Sequence, residues 1–108
     1  MNETFQKAVL LTMTDKIEYS DGGVISKQVL KNDAGNITLF SFDRGQGLSE
    51  HTAPFDAFIQ VIDGEAEIKI ACDSFLVRAG ESIIMPANIP HSVFAVNRFK
   101  MLLTMIRG

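Results

Sequence analysis

Residues 45–64 read GQGLSEHTAPFDAFIQVIDG, and residues 80–97 read GESIIMPANIPHSVFAVN. These two stretches hold both histidines of the chain, His51 and His91. Their apolar residues recur mostly with period two, or as short β-branched runs cut by turn residues, which predicts strands rather than helices. Residues 57–62 and 66–71 flank Asp63-Gly64, a dipeptide that favours a tight hairpin turn. Working outward, residues 24–30 and 37–42 are strand candidates joined by the turn cluster at residues 32–36, Asn-Asp-Ala-Gly-Asn. Beyond the second half of the first stretch come residues 75–78, the turn Ala79-Gly80, residues 82–85 and a Pro-bounded loop ending at Pro90. Two further runs follow, 92–96 and 99–106. Many short strands at this spacing predict an all-β sandwich or barrel.

The spacing of particular residues then carries a resemblance. In the first motif of the cupins, a Gly is followed after five residues by a His, then by a second His two positions on. A Glu comes four beyond that and a Gly seven further. Gly45, His51 and Gly64 stand at three of these positions, with Ala53 in place of the second His and Ala57 in place of the Glu. The second motif runs Gly, five residues, Pro, one residue, Gly, two residues, His, three residues, Asn. Gly80, Pro86 and His91 match it, while Asn88 replaces the Gly and Ala95 the Asn. The two motifs and their spacer cover about half the chain, which thus resembles a small single-domain cupin. The resemblance implies a double-stranded β-helix, or jelly-roll barrel, with both histidines facing one internal pocket.

In cupins the two histidines of the first motif, its Glu and the His of the second usually hold one metal ion. Carried over residue by residue, only His51 and His91 remain as metal ligands. Bound first-row metals usually have at least three protein donors, so one divalent transition metal is an open expectation here. On a strand, positions two apart share a face, so an inward His51 brings Ala53 inward too and leaves space where an imidazole would be. The expected pocket comprises His51, His91, Ala53 and Ala57, with Phe55 and Phe58 lining or capping it. Such a pocket suits a small organic ligand with one or two polar groups. Glu50, Asp56, Gln60 and Met85 lie close enough in sequence to be weighed as substitute donors. Glu50 should face away from His51 unless a bulge intervenes. Cys72 has no neighbouring base to activate it, and Met101 and Met105 read as core or interface residues.

Composition bounds the rest. The 108 residues fit one domain, with an arm over about residues 1–14 and a barrel over about 24–106. A net charge of −3 supplies no basic field for phosphate backbones, so nucleic acid is not an expected partner. One cysteine excludes an intramolecular disulfide and fits a reducing compartment. The N-terminal apolar run has no basic leader, and no run approaches the roughly 20 residues of a membrane helix. A soluble cytoplasmic protein is expected. Residues 4–11 read either as a helical turn on the barrel mouth or as a strand given to a partner sheet. Small cupins are often dimers, so the resemblance also implies a homodimer. Two functional classes stay open. One is a binding module for a small molecule. The other is a metal-dependent enzyme of isomerase, decarboxylase or dioxygenase type.

Overall fold

A computed structural model of the chain describes residues 4–107. Seven strands account for most of it: β1 (Val24–Asn32), β2 (Gly35–Phe42), β3 (Gly47–His51), β4 (Asp56–Ile70), β5 (Asp73–Arg78), β6 (Ser82–Met85) and β7 (His91–Ile106). A single 3-10 turn, Met13–Asp15, precedes them. The fold class is therefore all-β, as the alternation predicts. β1 and β2 form the expected hairpin across the turn at residues 33–34.

Two long strands organise the barrel. β4 and β7 pair antiparallel over their full length, from Asp56 opposite Ile106 to Ile70 opposite His91. Near their middles the register shifts between Val61 and Asp63 and again between Gly64 and Ala66. On one side of these shifts β4 also pairs with β6 and β7 with β2; on the other, β4 pairs with β5 and β7 with β3. Each long strand thus serves two sheets. One buried cluster joins Ile59, Val61, Met101 and Leu103 from the first sheet with Ile68, Val77, Val93 and Ala95 from the second. The two sheets therefore close on a common core, which is the double-stranded β-helix.

This arrangement corrects one expectation. Asp63-Gly64 does not turn a hairpin, because β4 runs straight through it. The chain bulges there instead, with Gly64 at φ 72° and its backbone pressed against Arg98 of β7. A positive-φ glycine in a strand interior is equally the mark of a bulge, and a bulge bends the strand where it leaves one sheet for the other. Residues 92–96 and 99–106 are likewise one strand and not two.

Residues 4–11 form neither helix nor strand, although the Phe5 N–H donates to the Val29 carbonyl at 3.0 Å. The following segment, 12–19, lies against the outer side of the β2 sheet. Its backbone carbonyls accept from side chains below: Thr14 from Lys100 Nζ at 2.6 Å, Lys16 from Lys27 Nζ at 2.8 Å and Glu18 from Ser41 Oγ at 2.7 Å. Ile17 is fully buried there and Leu39 of β2 is wholly inaccessible. No helix among the described residues is long and apolar enough to cross a membrane.

Candidate functional site

β3 and β7 bring the two histidines together through an irregularity. Leu48 pairs with Val93, but the next pair is His51 with His91, so three steps on β3 answer two on β7. In a regular strand Leu48 and His51 would face opposite sides. The extra residue turns His51 onto the same face as Leu48, as a bulge re-aims side chains.

The loop between β6 and β7 then fixes His91. Asn88 adopts φ 65° at the position where the motif has Gly, a conformation that Asn tolerates better than most residues. Its N–H donates to the Ala53 carbonyl at 2.8 Å, and the Ala87 N–H donates to Asp56 Oδ1 at 2.9 Å. Ala71 N–H closes the other end on the Pro90 carbonyl at 2.8 Å. Asp56 is thus engaged in holding the loop and does not line the cavity described next.

A cavity of about 230 Å³ opens inside the barrel at this place. His51, Ala53, Ala57 and His91 all line it. Phe55 and Phe58 do not, which corrects the expectation for both. Phe58 lies between buried Ala57 and Ile59 and so points to the outer face, where it pairs with Ile84 and Thr104. The Phe55 ring sits under the Arg107 guanidinium, 5.2 Å from its centroid. The remaining walls are Phe40, Leu48, Ile59, Val93 and Leu103, together with Met85, weighed above as a substitute donor, and Met101 and Met105, read above as core or interface residues. Glu50 and Gln60 are absent from the lining. Behind the lining, Phe40 stacks on Phe42 at 5.7 Å and Phe42 on Phe99 at 4.5 Å.

The polar end of the cavity is the histidine pair. His91 is 4% exposed, whereas His51 is exposed and forms the rim. The Nε2 atoms stand 3.2 Å apart, with the rings edge to face at 72°. Each Nδ1 meets a backbone carbonyl: His51 meets Ser49 O at 2.7 Å and His91 meets Ile89 O at 3.1 Å. A carbonyl oxygen only accepts, so both Nδ1 atoms carry the proton. In the neutral pair both Nε2 atoms then present lone pairs to each other. Burial holds the His91 pKa below its ordinary value, against a smaller opposing effect of the Ile89 carbonyl, and the neighbouring His51 charge adds to the lowering.

The metal of the cupin motif does not fit these residues. Two of its four donors are Ala53 and Ala57, and among the described residues no group of three His, Cys, Asp or Glu side chains is placed to hold an ion. Nor, among the described residues, does a carboxylate line the cavity to offset a divalent charge.

Comparison with known proteins accords with the fold. A cupin conserved-barrel protein from Leptotrichia buccalis is 38% identical with a TM-score of 0.84, over 87% of this chain and 46% of the other, so this chain spans about half of that protein. A conserved protein of unknown function from Streptococcus pyogenes is 33% identical, with a TM-score of 0.93 over 99% of this chain and 94% of the other. A cupin superfamily protein from Desulfitobacterium hafniense is 25% identical, with a TM-score of 0.91 over 100% and 99%. A search of curated protein sequences finds no match. The family profile described as "Cupin domain" matches residues 38–106, which is more than half of the sequence and includes both histidines and the bulge that bends β4. This chain belongs to the cupin family.

Proposed function

We propose that the domain binds a small, largely apolar organic molecule carrying one hydrogen-bond donor, such as a hydroxyl on a single ring. The observation that carries this reading is the pair of Nε2 lone pairs converging at 3.2 Å on an apolar cavity. Two acceptors held this close repel, and a donor directed at either one relieves the repulsion while satisfying its lone pair. Size supports the same class. A cavity of about 230 Å³ exceeds the roughly 150 Å³ that accepts a benzene-sized guest. It falls short of the about 300 Å³ at which pockets for drug-sized ligands begin.

Phenol and toluene are matched probes for this reading, since they share a shape and differ in the donor. Binding of each is followed by calorimetry in the native protein and in the double variant His51→Leu/His91→Leu. The phenol-to-toluene affinity ratio is expected to fall by about two- to twelvefold in the variant. That corresponds to the roughly 0.5–1.5 kcal/mol of one neutral hydrogen bond. An unchanged ratio would show that the histidines do not read the hydroxyl.

A further inference from the structure

A column of aromatic rings runs out of the core and ends at the cavity. Phe99 and Phe42 stack 4.5 Å apart and 3° from parallel, and Phe40 follows Phe42 at 5.7 Å and 21°. Phe99 and Phe42 are wholly buried, whereas Phe40 lines the cavity. The column thus stops at the cavity wall.

Three of the five methionines border the same space. Met101 of β7 is the register partner of Phe40. Ala57 of β4 pairs with Met105 of β7 on one side and with Met85 of β6 on the other. Residues directly opposite on paired strands project from one face. Neighbouring strands lie about 4.8 Å apart, so the short Ala57 side chain leaves a gap with a thioether stem roughly 5 Å to each side. A methionine sulfur and an aromatic ring attract at about 5 Å.

We infer that the cavity selects an aromatic ring over a saturated ring of the same size, so that its ligand is a phenol whose ring packs among Met85, Met101, Met105 and Phe40. The hydroxyl of that phenol is read by the histidine pair as proposed above; the ring specificity rests on that reading and adds the thioethers and Phe40 to it. The preference has a physical cause. A purely aliphatic wall offers dispersion, which a saturated ring meets as well as a flat one. Thioethers add an attraction to an aromatic ring and, being unbranched, conform to its flat shape. A ring beside Phe40 also gains offset stacking. Neither contribution is open to a cyclohexane ring.

Phenol and cyclohexanol share a hydroxyl and differ in the saturation of the ring. Both are titrated by calorimetry into the native full chain and into Met85→Leu, Met105→Leu and the double variant, swaps that nearly conserve volume and leave the fold in place. Comparing the phenol-to-cyclohexanol affinity ratio between proteins cancels how the two probes differ in water. The double variant is expected to lower that ratio at least about threefold, the lower end for two thioether–ring contacts. In the native protein carrying methyl-labelled methionine, the ring current of phenol should displace the Met85 and Met105 methyl signals. Cyclohexanol has no ring current and should leave them nearly in place. A ratio unchanged in the double variant, or methyl signals that answer both probes alike, would overturn the ring selectivity. A phenol-to-toluene ratio that still falls in the His51→Leu/His91→Leu protein would then leave the hydroxyl reading standing. A native protein that binds none of these probes would remove both.

Discussion

Replacing Gly64 by alanine is expected to destabilise the barrel by about 2–5 kcal/mol. Two costs combine. A residue with a Cβ held in the left-handed region loses roughly 1–2 kcal/mol, and Gly64 sits at φ 72°. The added Cβ would also fall 1.7 Å from the Arg98 carbonyl oxygen and 2.9 Å from the Phe99 Cα, both backbone atoms. Relieving that overlap means separating β4 from β7 at the bend, an overpacking cost of about 1–3 kcal/mol or more. For a domain of this size each kcal/mol lowers Tm by roughly 4–8 °C, so a fall of about 8 °C or more is expected in thermal unfolding. Gly80→Ala is the matched control. Gly80 has φ 90° but nothing within 4 Å of the position its Cβ would take. It should bear only the conformational part, about 1–2 kcal/mol. Equal losses at the two positions would mean that the close approach of β4 and β7 at Gly64 does not hold the bend.

Restoring the two missing donors should create the divalent site that the native residues do not form. The double variant Ala53→His/Ala57→Glu adds an imidazole and a carboxylate to His51 and His91, and all four positions line one cavity. Four donors with one negative charge suit Zn(II) or Co(II) far better than two neutral ones. Affinity for Co(II), read from its visible absorption, is expected to rise at least about a hundredfold, or roughly 2.7 kcal/mol. Without metal the variant should be less stable than the native protein, because the new carboxylate is buried without a partner. Metal at about 100 times its Kd should then return roughly 2.7 kcal/mol. A variant that folds but binds Co(II) no better than the native chain would show that positions 53 and 57 do not converge on the histidines.

What the sequence made legible was spacing. Glycines and a proline at set intervals mark the turns and the bend, and both histidines fall at inward positions. Family and fold follow from those residues alone. Its errors were local patterns whose meaning depends on distant partners. Asp63-Gly64 suits a hairpin turn and a bulge equally. Only the pairing of β7 along the whole of β4 selects the bulge. Phe55 and Phe58 were placed in the pocket by nearness in sequence, whereas strand alternation turns Phe58 outward. Met101 and Met105 read as packing residues because a thioether packs well. That Met105 borders a cavity follows from its small register partner, Ala57. Ile17 lacked any signal, since its segment has no periodicity and is fixed by side chains reaching up to its carbonyls.

The account turns on two imidazoles whose Nε2 lone pairs face one another, and nitrogen-15 NMR of the histidine rings across pH tests that directly. At pH 8 both rings should be in the Nδ1–H form with both Nε2 atoms unprotonated. On acidification His91 should be protonated only below the ordinary imidazole range, because burial and, to a smaller extent, the neighbouring His51 charge oppose it. An Nε2–H form of either ring at pH 8, or a His91 ring that titrates within or above the ordinary imidazole range, would contradict the shared polar site.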